Sequence, residues 1–165
     1  VIPVNVDWRV IPVRSDYGCL TEYIEGLINY IRANNILLRV EQYFPGHSQS
    51  EAAFEINALQ ISNEEAISLI MTEGYICDTL MVTSDQDTVL ISTHEMTSIF
   101  IAKEATINEI TGKSILQMQH EYAEYINDWS GIPGKNANSL LNLSSDYPKL
   151  FIGSPSIEIK FDTLV

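Results

Sequence analysis

Three short apolar runs, residues 79–84, 88–93 and 97–102, follow one another with only Asp85-Gln86-Asp87 and His94-Glu95-Met96 between them. They are short, rich in Val, Ile and Thr, and bounded by turn-forming residues, so they read as strands of an antiparallel meander. Several are apolar at nearly every position instead of at alternate ones. Such strands are covered on both faces or sit in the middle of a sheet, and this limits the architectures open to the chain.

The remaining segments supply the other layers. Residues 8–14 alternate and read as a strand. Leu20, Tyr23, Ile24, Leu27, Ile28 and Ile31 recur at three- and four-residue spacing, which places one apolar stripe on a helix, with Glu22, Glu25, Asn29 and Arg32 opposite it. Asn34 and Asn35 suit its end, because asparagine tolerates the left-handed conformation. Residues 36–44 and 53–59 read as strands joined by a turn over 45–50, with Phe54, Ile56 and Ala58 on one side and Glu55 and Asn57 on the other. Ser62 and Glu65 form a capping box that starts a helix over 63–73, and Gly74 closes it.

Thr106 and Glu109 suggest a second box, opening a short helix that Gly112 interrupts. A longer helix then runs to residue 129 and buries a seam of Ile115, Met118, Tyr122, Tyr125 and Trp129. Residues 130–156 are rich in Gly, Pro, Asn and Ser, and residues 156–161 alternate as a last strand. The expected fold is therefore α+β, a mostly antiparallel sheet with three to four helices, in one domain over 1–165 with a loop-rich region at 130–156. Its first half has the element order of a split βαβ, or ferredoxin-like, unit.

At 165 residues with 45% hydrophobic content, the chain is long enough to bury an ordinary core. Its net charge is −13, from 22 acidic and 9 basic residues. The imbalance is regional. No Lys or Arg occurs from Val40 to Ala102, where Glu41, Glu51, Glu55, Glu64, Glu65, Glu73, Asp78, Asp85, Asp87 and Glu95 fall; the other 12 acids share the chain with all 9 cations. A field of one sign attracts basic partners and repels nucleic acid and anionic membranes. Cys19 and Cys77 lack the spacing of a redox pair or a disulfide scaffold and read as buried thiols. With neither a signal-peptide core in residues 1–13 nor an apolar run long enough to span a bilayer, a soluble cytoplasmic protein is expected.

Motifs of catalysis are incomplete. Gly46-His47-Ser48-Gln49-Ser50 approaches the nucleophile elbow, but Ser50 stands where glycine is needed, Pro45 precedes the turn, and a strand follows where the elbow needs a helix. His94-Glu95 and His120-Glu121 begin like a zinc motif, yet Ser98 and Glu124 occupy the second histidine position. Asp85-Gln86-Asp87 lacks the rest of a calcium loop and reads as a hairpin turn. No metal, cofactor or enzymatic activity is expected. Tyr17, Tyr30, Tyr43 and Tyr147 lie where a tyrosine can anchor an interface, although ordinary half-burial is the favoured reading for most of them.

The segment TVLISTHEMTSIFI, residues 88–101, resembles the strand, Ser/Thr-His-Glu turn, strand pattern of some α+β immunity proteins of bacterial polymorphic toxin systems. That resemblance implies one immunity protein paired with one cognate toxin, without catalysis of its own. A nuclease toxin carries a positive cleft for phosphate, which suits an acidic inhibitor. The expected partner contacts are Glu41, Glu55, Glu64, Glu65, Asp85, Asp87 and Glu95. The alternative is a small enzyme or small-molecule-binding domain with its pocket near the 130–156 loop, centred on His47, Ser48, His94 or His120.

Overall fold

The computed structural model describes residues 8–14, 17–43, 52–71, 77–92 and 98–130, apart from the side chains of 17–19 and 126–130. The elements run β1 (Trp8–Val13), α1 (Tyr17–Asn34), β2 (Leu38–Tyr43), β3 (Ala52–Ile56), α2 (Asn63–Met71), β4 (Asp78–Thr83), β5 (Thr88–Ser92), β6 (Ser98–Lys103), α3 (Glu104–Thr111) and α4 (Ile115–Ser130). The six strands form one sheet in the order β1-β6-β5-β4-β2-β3, and every neighbouring pair is antiparallel. The fold is α+β.

Strand pleating divides the apolar residues between two faces. One face carries Ile11, Val13, Leu38, Val40, Ile56, Met81, Leu90, Phe100 and Ala102, and it meets the apolar sides of the helices in a single core. The stripe anticipated on α1 forms the middle of that core, with Leu20, Tyr23, Ile24, Leu27, Ile28 and Ile31 all buried. Each such side chain contributes about 1.5–3 kcal/mol through removal from water. Phe100 meets Tyr23 edge to face at 6.2 Å. The other sheet face carries Trp8, Val10, Val89, Ile91, Ile99 and Ile101, also buried, with Leu80 and Val82 beside them. Burial on both faces is why β5 and β6 are apolar almost throughout.

The split anticipated for the first half lies elsewhere. With all pairs antiparallel, β3 and β4 run parallel on either side of β2 and are joined by α2, which is a split βαβ unit. Strand β1, however, stands at the far edge and pairs only with β6, so the first four strands do not form a ferredoxin-like sheet. The cause is the meander, whose two-sided apolar strands take the centre and separate β1 from β2. Strand β3, with Ala53 and Glu55 exposed, tolerates the opposite edge.

Helix ends follow local chemistry. Asn35 takes φ 53° after α1, and the Ile36 N–H returns to the Ile31 carbonyl at 3.0 Å. The Ser62–Glu65 box is formed: the Glu65 N–H donates to Ser62 Oγ at 3.2 Å, and the Ser62 N–H donates to the Glu65 carboxylate at 2.8 Å. Helix α3, in contrast, starts directly at Glu104 with Lys103 as an N-cap that makes no side-chain bond, so Thr106 lies within the helix and no Thr106–Glu109 box forms. The second box belongs to α4. There the Ser114 N–H donates to Gln117 Oε1 at 2.9 Å, and the Gln117 N–H donates to Ser114 Oγ at 3.2 Å. Gly112, at φ 66°, makes the turn between α3 and α4.

Helices α2, α1, α3 and α4 lie side by side in that order, with α4 against β1. The expected turns over 45–50 and 94–96, the 130–156 loop and the 156–161 strand lie outside the described residues.

Candidate protein-binding surface

The expected contact residues occupy three places. Glu41 and Glu55 lie on the sheet face opposite the helices, where the register sets Arg39 directly across from Glu55. Arg39 Nη2 reaches Glu41 Oε1 at 2.7 Å, and the Tyr43 hydroxyl donates to the other Glu41 oxygen. Residues 39, 41 and 43 share a face because strand side chains alternate. Burial, with the Glu41 hydrogen bond and charge adding to it, pushes the Tyr43 phenol up to about 12. Glu41 is thus engaged locally, and Glu55 has a cation opposite.

Glu64 and Glu65 lie in the first turn of α2, where carboxylates complement the exposed N–H groups. The two hydrogen bonds from Ser62 hold the Glu65 carboxyl below its ordinary range. Together with Ile61, Ser68 and the half-exposed Leu69, these residues line an open depression of about 500 Å³.

Asp85 and Asp87 form the third group, at the tip of the β4–β5 hairpin. Gln86 takes φ 60°, its N–H donates to the Thr83 carbonyl at 2.8 Å, and the Asp87 N–H donates to Asp85 Oδ1 at 3.1 Å, so both carboxylates project from a tight turn. Hydrogen bonds between Leu37 and Ser84 hold the hairpin beside the end of α1, which carries Tyr30, and a hydrogen bond with Thr106 of α3 bears on the Tyr30 hydroxyl. Partial burial raises the Tyr30 phenol above its ordinary value; the negative fields of Asp85, Glu109 and Asp87 add to the rise, while the Thr106 bond opposes it. The hairpin and α3 thus both lie beside α1. Among the described residues, no Lys or Arg forms an ion pair with Asp85, Asp87 or Glu109.

Cations near this surface have other duties. Arg32, the one basic residue of α1, donates from Nε to the Ala58 carbonyl at 2.8 Å and from Nη2 to the Ile61 carbonyl at 3.1 Å. Its Nη1 serves the side-chain oxygens of Asn29 and Asn63. This clamp fastens the β3–α2 connection to α1 and leaves exposed Glu22 and Glu25 without a cation available on their own helix. Lys113 pairs with Glu121 at 2.8 Å and lies 5.6 Å from the Tyr23 ring centre. Arg9 approaches Glu104 at 3.8 Å.

The six expected contacts that are described thus do not share one surface: Asp85 and Asp87 come together, Glu64 and Glu65 start α2, and Glu41 and Glu55 lie on the sheet face away from the helices, while Glu95 lies outside the described residues. Glu109 was not among them. Its helix phase was the available signal, since Ile107 and Ile110 are buried and Asn108 and Glu109 must then face outward.

Of the expected alternatives, His120 is an exposed i,i+4 partner of Glu124 at 3.4 Å. His47, Ser48 and His94 lie outside the described residues, as does the 130–156 loop. Among the described residues no group of three or more His, Cys, Asp or Glu is placed to hold a metal ion, and no helix is long and apolar enough to cross a membrane. Cys77 is buried, its Sγ 3.7 Å from Thr79 Oγ1. No known protein family, characterised protein or solved structure matches this chain.

Proposed function

We propose that this chain is an acidic protein-binding domain that captures a basic partner, and that the partner is a nuclease-type toxin which the chain neutralises as an immunity protein in the bacterial cytoplasm. It acts by occupation, without chemistry of its own. The observation that carries the proposal is the exposed β4–β5 turn, whose Asp85 and Asp87 form no ion pair among the described residues and which Ser84 ties to Leu37 just after α1, with exposed Glu109 on the neighbouring α3 and the partly buried Tyr30 on α1. A tyrosine supplies rigid contact area with a polar tip, and surrounding carboxylates attract a lysine or arginine of the partner. Glu22 and Glu25 extend the negative field along α1. Such a field speeds encounter with a cleft built to bind phosphate.

The toxin-specific part rests on the resemblance of residues 88–101. Strands β5 and β6 pair antiparallel with Ser92 opposite Ser98, which supports the two paired strands of that pattern.

The test begins with a pull-down at low salt and mass spectrometry, which should recover one basic nuclease at one-to-one stoichiometry. Stopped-flow association with that protein should then slow steeply as salt is added, because surface charges farther apart than about 8 Å are screened at physiological ionic strength. Combining Asp85→Asn, Asp87→Asn and Glu109→Gln should slow association about tenfold at low salt and flatten its salt dependence. A rate indifferent both to salt and to these three changes refutes electrostatic capture at this surface. A partner that is not a nuclease overturns the toxin assignment alone.

A further inference from the structure

We draw no further inference here: the strongest candidate, the apolar sheet face formed by Trp8, Val10, Val89, Ile91, Ile99 and Ile101 opposite the helices, is buried, and nothing in the structure shows what covers it.

Discussion

Gly26→Ala sets two effects of opposite sign against each other. Helix α1 is 18 residues long and Gly26 lies inside it, so helix propensity alone favours alanine by about 1 kcal/mol. Packing opposes this. A Cβ at residue 26 would stand 2.0 Å from the Ile110 carbonyl oxygen, 3.1 Å from its carbonyl carbon and 3.4 Å from its Cγ2. Restoring a tolerable contact of about 3.0 Å to the oxygen requires α1 and α3 to part by about 1 Å. The obstacle is backbone, which cannot rotate away, and the neighbouring Leu27, Ile107 and Ile110 are buried in the same core. Overpacking of this kind costs about 3 kcal/mol at the upper end of its usual range, leaving a net loss of about 2 kcal/mol after the propensity gain. With a urea dependence of about 2 kcal/mol per molar for a domain of this size, the denaturation midpoint followed by circular dichroism should fall by about 1 M. Adding Ile110→Ala should not rescue it, since the closest atom belongs to the main chain. The shift also reaches the proposed binding surface, because Tyr30 is one helical turn beyond Gly26 and Glu109 adjoins Ile110; greater exposure should move the Tyr30 phenol back toward its ordinary value. An unchanged or raised midpoint would refute the close approach of α1 and α3.

Three further outcomes are expected. Arg32→Met should cost about 2–3 kcal/mol in urea denaturation, because it removes a charged donor and leaves the Ala58 and Ile61 carbonyls without it; Arg32→Lys should recover little, as an ammonium cannot reproduce the fork. The Tyr43 phenol lies at about 12 in the folded protein against 10.0 ordinarily, so the folded state favours its protonated form. The stability this contributes is fully present below about pH 10 and is lost as pH rises toward 12, and Glu41→Gln should lower the phenol's titration, followed by absorbance at 295 nm. The Tyr122 hydroxyl is buried without a hydrogen-bond partner among the described residues, so Tyr122→Phe should raise stability by about 1 kcal/mol; a loss on thermal or urea denaturation would show that the hydroxyl is satisfied.

Short-range relations in the chain were legible without coordinates. The α1 stripe, the Ser62–Glu65 box, the Asn35 stop and the Asp85-Gln86-Asp87 turn each depend on residues within a helical turn or two of one another, and each is present. The Arg39–Glu41–Tyr43 grouping was equally available, since residues two apart on a strand share a face. Ser114 and Gln117 carry the same capping pattern as Ser62 and Glu65, and Thr106 competed with it only because a strand-to-helix junction without any side-chain cap leaves no local mark.

The amino-acid sequence by itself determined the classes of the described elements, their approximate limits and the excess of negative charge, because periodicity and capping are near-neighbour properties and charge is additive. Only the tertiary structure decided that β1 lies beyond the meander and that β3 and β4 flank β2, because strand order depends on which apolar faces can be covered together across long stretches of chain. It also decided which carboxylates lie near one another. Tyr30, Asp85 and Glu109 belong to a helix, a hairpin and another helix, brought to one side of the molecule because α3 packs on α1 and Ser84 of the hairpin hydrogen-bonds Leu37 just after α1. Glu41, drawn from the same cation-poor stretch, faces the other way and is held by Arg39 and Tyr43.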